Sequence, residues 1–194
     1  MKNNNKISDI INSSIITKEK LLKNNFIEKI DKATNIIIDA YKNKKKVLLC
    51  GNGGSAADAQ HIAAELSGKF YFDREPLNAE ALHVNTSYIT AVANDYSYDV
   101  VFERLVRAKG NRGDILIGIS TSGNSKNVIK AIKQANNLGM RTISLTGKNG
   151  GEIKKISDLT LNIPSDDTPR IQEAHILVGH IICQIVEEQL FGKN

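Results

Sequence analysis

The chain contains no tryptophan, and aromatic residues make up only 5% of its 194 positions. Little is therefore available to stack on nucleic-acid bases. Cysteine is scarce as well, occurring only at Cys50 and Cys183. Each sits in an apolar segment, which suits buried inert thiols and leaves no disulfide framework. No apolar run is long enough to span a membrane. The opening residues, MKNNNKISD, lack the apolar centre and small-residue cleavage site of a signal peptide, so a cytoplasmic protein is expected. No low-complexity core segment and no solenoid-type repeat interrupts the chain.

Lys and Arg number 26 against 21 Asp and Glu, a formal net charge of +5. The two signs are interleaved. The one tight basic run, Lys44-Lys45-Lys46, precedes an apolar segment and reads as a solvated helix end. Neither nucleic acid nor membrane is expected as a partner, whereas a small anionic substrate suits a mildly positive chain. The length allows one domain with a sizeable core, and 41% apolar and 24% charged residues are ordinary for a globular protein.

Residues 1–16 are rich in Asn, Lys and Ile and read as an N-terminal arm or short helix. From Thr17, a possible cap, the apolar residues Leu22, Phe26, Ile30, Ala33, Ile37 and Tyr41 recur at helical spacing and predict one long amphipathic helix. The remaining pattern predicts strands at 47–50, 81–84, 114–119, 142–146 and 159–163. Helices are expected at 55–67, 87–93, 98–108, 126–138 and 169–191, with a loop around Pro76. Such alternation implies a parallel sheet covered on both faces, with ligands at the carboxyl ends of its strands. Residues 17–194 would form this single domain. The last helix is apolar over much of its circumference (Ile171, Ile176, Leu177, Val178, Ile181, Ile182, Ile185, Val186). A helix apolar on more than one stripe is buried on more than one side. The first and last helices are accordingly expected to pack against other copies in a homo-oligomer.

Two turns carry the chemistry. Cys50-Gly51-Asn52-Gly53-Gly54-Ser55 follows an apolar strand, and Ser55 stands where a helix N-cap belongs. Strand, glycine turn and helix N-terminus together make an anion cradle. The string GNGGSA lacks the spacing of a dinucleotide fingerprint. The second turn, Ser120-Thr121-Ser122-Gly123-Asn124-Ser125, offers hydroxyls and a helix N-terminus that can bind phosphate without Arg or Lys. No Gly-Lys-Ser/Thr follows, so it is not a P-loop. An ordinary loop with a capping serine is the alternative, and its place after a buried strand favours phosphate. His61 and Glu65 lie at i and i+4 on one helix face, so they can hold a metal, move protons, or merely pair at the surface. Gln172 and His180 are polar positions in the apolar last helix, His175 reads as structural or interfacial, and His83 as a packed histidine.

The strings CGNGGSAADAQHIAAEL, ANDYSYDVVFERLVRAKG, GDILIGISTSGNSKNVIKAI, ISLTGKNGG and RIQEAHILVGHIICQIVE resemble the sedoheptulose 7-phosphate isomerase family of the sugar-isomerase (SIS) domain group. They cover nearly the whole chain beyond residue 16, in order. The resemblance implies an α/β three-layer sandwich with a five-stranded parallel sheet flanked by helices. It also implies a homotetramer with active sites at subunit interfaces, and conversion of sedoheptulose 7-phosphate to D-glycero-D-manno-heptose 7-phosphate for surface polysaccharide. By matching motif, Asn52, Gly53, Gly54 and Ser55 would contact substrate, as would Asn94 and Asp95, while Ser120, Thr121, Ser122 and Ser125 would hold the phosphate. His61, Glu65, Gln172 and His180 would be ligands of one zinc per subunit, Glu65 and His180 the acid/base pair, and Gln172 a further substrate contact. No nucleotide or organic cofactor is implied. Lys69 departs from the family, which carries Arg there, and keeps the charge but loses the bidentate fork. Gln172 and His180 are eight residues apart, ~12 Å along one helix. One of them is therefore expected from a neighbouring chain. The rival readings are a non-catalytic tetrameric scaffold of the same fold, akin to the replication-initiator-associating protein, and an isomerase of another sugar phosphate.

Overall fold

The computed structural model describes residues 2–23 and 25–192. Five strands, β1 (Val47–Gly51), β2 (Ala79–Ala81), β3 (Ile115–Ser120), β4 (Arg141–Thr146) and β5 (Leu159–Asn162), form one sheet in the order β2-β1-β3-β4-β5. Every pairing is parallel. The central strands are apolar runs because both their faces are covered. Val47 and Leu49 point into one core, Leu48 and Cys50 into the other.

Helices α2 (Phe26–Lys42), α3 (Gly54–Ser67) and α8 (Thr168–Phe191) cover the first face, through residues such as Ile37, Ile62 and Val178. Helices α4 (Thr86–Asp95), α5 (Val101–Lys109), α6 (Lys126–Asn137) and the short α7 (Ile153–Ile156) cover the second, through Val92, Phe102, Ile132 and Ile153. Gly118 of β3 lets α6 lie close, since a Cβ there would sit 3.0 Å from both Val128 and Ile132. The expected three-layer α/β sandwich with a five-stranded parallel sheet is thus the observed fold.

Strand order explains where a site can form. The chain leaves β1 toward β2 on one side and leaves β3 toward β4 on the other. A crevice opens at the carboxyl ends of such a diverging pair. Gly51 and Ile119 are register partners there, so the turns after β1 and β3 stand side by side.

Several boundaries differ from the sequence expectation. Residues 2–21 form one helix, α1 (Lys2–Leu21), longer than the arm or short helix expected for residues 1–16, and Thr17 lies inside it, donating its hydroxyl to Ser13 O at 2.9 Å. Arg170 of α8 donates to Ile10 O at 2.9 Å, and the Ser14 hydroxyl bonds Glu173 at 2.7 Å, which ties α1 down. The long helix expected from Thr17 breaks where Asn25 takes a left-handed φ of 58°, a conformation asparagine tolerates; Asn24 lies outside the described residues. The edge strand β2 begins and ends earlier than 81–84, and α7 is absent from the sequence reading.

A buried ion pair latches α8 to the segment after α3. Glu187 is 1% exposed, and its carboxylate accepts the backbone N–H groups of Phe70 (2.8 Å), Tyr71 (2.5 Å) and Phe72 (3.0 Å) and the Arg74 Nε–H (2.8 Å). Burial works against its charge, but these donors outweigh it and hold Glu187 below the usual carboxylate range. Arg74 in turn donates to the carbonyls of Glu65 and Leu66, each at 3.0 Å, and so closes the end of α3. Removing one member of a buried pair strands the other's charge. Glu187→Ala should cost about 3–5 kcal/mol in urea unfolding. Truncating the exposed Glu152 of the Lys155 pair should leave the urea midpoint nearly unchanged.

Candidate active site

The first turn is built on glycine. Gly53 adopts φ 56°, ψ −122° and stands at the N-cap of α3, so the helix begins at Gly54. Ser55 is therefore not the cap. It lies in the first helical turn, 4% exposed, with its N–H donated to Asn52 O at 3.0 Å. A Cβ on Gly51 would stand 2.5 Å from Ser55 O, so the strand can enter the helix this tightly only with glycine.

The second turn gathers hydroxyls. Ser120, at the end of β3, is buried, and its Oγ lies 2.9 Å from Ser125 Oγ and 3.5 Å from Ser122 Oγ. Ser125 is the N-cap residue of α6, yet its hydroxyl turns to Ser120 and makes no cap bond. The first amides of α6 and the hydroxyl cluster thus face one place, an arrangement suited to an anion. Thr121 accepts Gly147 N–H at 3.0 Å through its carbonyl. Asn124 donates its backbone N–H to Ser122 Oγ at 3.2 Å and its Nδ2 to Ser122 O at 3.1 Å. Its Oδ1 accepts Glu152 N–H at 3.0 Å and clamps the 150–152 loop against the turn.

Asn127, which carries no recognisable signal in the sequence, joins the two turns. It is 3% exposed and exchanges two hydrogen bonds with Asn52: Asn52 Nδ2 to Asn127 Oδ1 at 2.9 Å, and Asn127 Nδ2 to Asn52 Oδ1 at 2.8 Å. The Tyr98 hydroxyl also donates to Asn52 Oδ1, at 3.2 Å. Asn94 and Asp95 end α4, where they are exposed and bond to each other at 2.9 Å. In this chain it is Tyr98, three residues beyond Asp95, that touches the first turn.

Farther along α3 the ionisable groups converge. His61 Nε2 lies 3.1 Å from Glu65 Oε1 and 3.4 Å from His180 Nε2 of α8. One ligating atom from each of the three falls within 4.8 Å of the others. Tetrahedral zinc with N and O ligands has ligand–ligand edges of about 3.3 Å, so the donor set and its spacing fit that ion. Gly179 makes the approach possible, since a Cβ there would meet Ile62 at 2.6 Å. The Phe70 ring, positioned through its N–H bond to Glu187, leans on the His180 imidazole at a centroid distance of 5.8 Å.

Gln172 is not brought to this trio. Its side chain lies against Gly54, where a Cβ would be 2.4 Å from its Nε2, so it belongs to the first turn. Seven residues of α3 separate Gly54 from His61, ~10 Å of helix. Glu65 and His180 meet within one chain, whereas Gln172 stands apart from them. Asp58, on the same stripe of α3, is pushed up to about 6 by burial, opposed by nearby His61.

The other expectations divide cleanly. His175 is fully buried, with Nε2 3.0 Å from Thr146 O, and burial lowers its pKa to about 4, the mark of a structural histidine. His83 is partly buried, which lowers its pKa. Cys50 and Cys183 are buried free thiols raised to about 12 by desolvation, far from a reactive thiolate. Lys69 is exposed, and the arginine that organises this corner is Arg74.

Comparison with known proteins identifies the family. A model of the SIS domain matches residues 13–147. The chain belongs to the SIS domain family, a class of α/β domains. Among curated relatives, "Phosphoheptose isomerase" of Clostridium acetobutylicum is 59% identical over 95% of this chain and 94% of its own length. "Phosphoheptose isomerase 2" of Campylobacter jejuni is 54% identical over 93% and 90%. The solved phosphoheptose isomerase of Francisella tularensis superposes with a TM-score of 0.93 at 38% identity, covering 97% of this chain and 100% of that one. Within the SIS domains, the chain belongs to the phosphoheptose isomerases.

The second turn yields a test. Gly123 has φ +68°, and a Cβ there would lie 2.1 Å from Gly150 O, a backbone atom. Gly123→Ala should cost at least ~1–3 kcal/mol in strain and weaken inorganic phosphate binding in calorimetry. Gly53→Ala, with open space around its Cβ, should carry only the left-handed backbone penalty.

Proposed function

We propose that the protein interconverts sedoheptulose 7-phosphate and D-glycero-D-manno-heptose 7-phosphate in the cytoplasm, supplying heptose for surface polysaccharide such as lipopolysaccharide or capsule. The observation that carries this reading is the convergence of Glu65, His61 and His180 in a phosphoheptose isomerase fold. The hydroxyl-lined turn after β3 supports a phosphate-bearing substrate. A non-catalytic scaffold would have no use for a carboxylate and an imidazole held this close.

The chemistry follows from the substrate. A ketose becomes an aldose when a proton leaves one carbon and returns to its neighbour, while the hydroxyl proton changes oxygen. Glu65 takes the C1 proton, giving an enediol, and delivers it to C2. His180 relays the proton from the C1 oxygen to the C2 oxygen. Ser120, Thr121, Ser122 and Ser125 hold the phosphate, Asn52, Gly53, Gly54 and Ser55 line the sugar with Asn94 and Asp95, and Gln172 closes the first turn. His61, Glu65 and His180 would hold zinc, which when bound supplies a Lewis acid for the substrate carbonyl.

The assembly is a homotetramer with sites at subunit interfaces. Ile7, Ile10, Ile11, Ile15 and Ile16 of α1 are 46–55% exposed and supply an apolar face for a second copy. The fourth zinc ligand, Gln172, then comes from a neighbouring chain. Mixed tetramers of Glu65→Ala and Gln172→Ala chains should regain activity, because an intact trio meets an intact glutamine at some sites. Mixtures of Glu65→Ala and His180→Ala should stay inactive. Recovery in the second mixture alone would contradict this division.

Conversion of sedoheptulose 7-phosphate, followed by NMR, tests the reaction itself. Wild type should form the heptose phosphate, and Glu65→Gln should be slower by ~10²–10⁴-fold. No conversion by a folded, zinc-supplied tetramer would leave the fold and the anion cradle in place and favour the scaffold.

A further inference from the structure

The hydrogen bonds around Asn52 have a direction that can be read from the backbone outward. Val128 N–H is a donor by necessity, and it is 2.9 Å from Asn127 Oδ1. That bond fixes which end of the Asn127 amide is oxygen. Asn127 Nδ2 must then donate to Asn52, so the atom it meets at 2.8 Å is Asn52 Oδ1. Asn52 Nδ2 returns the second bond at 2.9 Å. Since Asn52 Oδ1 can only accept, the Tyr98 hydroxyl 3.2 Å away spends its single hydrogen on it.

Two consequences follow at the surface of the site. The Tyr98 oxygen, its proton committed, can serve a ligand only as an acceptor. Asn52 keeps one amide hydrogen without a partner among the described residues, and so presents a donor beside it. Tyr98 is 49% exposed, so this acceptor is reachable, whereas Asn127 is buried and reaches no ligand itself.

We infer that Tyr98 is a specificity-determining contact that accepts a hydrogen bond from a hydroxyl of the sugar chain, and that Asn127 is the positioning residue that sets its polarity. The inference rests on the reading of the two turns as a sugar-phosphate site. The ligand it describes is a polyhydroxylated phosphate ester whose hydroxyl donates to Tyr98 and accepts from Asn52. Neither residue contributes to holding the phosphate group, which lies with the Ser120–Ser125 turn.

Calorimetry in the Glu65→Gln background, where the sugar phosphate is not rapidly consumed, measures two probes, sedoheptulose 7-phosphate and inorganic phosphate. Adding Tyr98→Phe should weaken the sugar phosphate by ~3–10-fold, the effect of one neutral hydrogen bond, and leave inorganic phosphate unchanged. Asn127→Asp removes the donor to Asn52 Oδ1, and once it is in place Tyr98→Phe should cost less than it does alone, a coupling that a purely structural asparagine would not give. Unchanged sugar phosphate affinity in Tyr98→Phe, equal weakening of both probes, or strict additivity of the two substitutions would overturn the inference. Failure of the Glu65→Gln reference itself to bind sedoheptulose 7-phosphate would instead overturn the reading of the site, and this inference with it.

Discussion

The close approach of α3 and α8 is the constraint on which the rest of the site depends. These helices lie more than a hundred residues apart in the chain, yet Gly179 sits directly on Ile62 and Gln172 on Gly54. A larger side chain at either glycine would push the helices apart and separate His180 from His61. The approach is locked at the far end by Glu187, whose carboxylate is surrounded by the Phe70, Tyr71 and Phe72 amides and by Arg74. Buried ion pairs are costly to form and costlier to break singly. Here the pair has a second effect: Arg74 holds the Glu65 carbonyl, and Phe70 leans on His180. One latch therefore holds the backbone at Glu65 and the ring beside His180.

The other half of the proposed site gathers hydroxyls at a helix N-terminus. Ser120, Ser122 and Ser125 present hydroxyls to one another, and α6 begins where they meet. Helix amides and hydroxyls reorganise little when a charged ligand arrives, which favours a fixed phosphate position. Lys126 follows the turn directly, and Lys154 and Lys155 share a pocket with Asn124 beside it. The reciprocal Asn52–Asn127 pair joins the two turns, and under the proposed function it would fix the separation of the phosphate and sugar positions.

Much of this was legible in the sequence, for physical reasons that differ by element. β1 and β3 are largely apolar runs because they are buried on both faces, while β4 alternates Ile143 and Leu145 with the buried hydroxyls of Thr142, Ser144 and Thr146; the Gly- and Ser-rich turns after β1 and β3 announce themselves by composition. The pair His61 and Glu65 was readable from helical spacing alone. What escaped depends on tertiary contact. Arg74 and Glu187 look like surface charges until the fold brings them together. Asn127 lies within an amphipathic helix, and only its partner on another turn gives it a role. Thr17 resembled a cap because the helical pattern strengthens there, whereas α1 is stabilised by α8 and already runs through that position. The kink at Asn25 and the displaced Ser55 both turn on a positive φ, at Asn25 and Gly53, which periodicity does not register.

The proposed isomerisation implies one placement: phosphate on the turn after β3, sugar beside Asn52, and the C1–C2 end at a Glu65–His180 pair. A crystal structure of the Glu65→Gln protein with sedoheptulose 7-phosphate bound tests it most directly. Density for the phosphate against Ser120, Ser122 and Ser125, with C1 and C2 within hydrogen-bonding reach of residue 65 and His180, is the predicted result. Phosphate bound elsewhere, or carbons 1 and 2 remote from every His61–Glu65–His180 centre in the crystal, would contradict it.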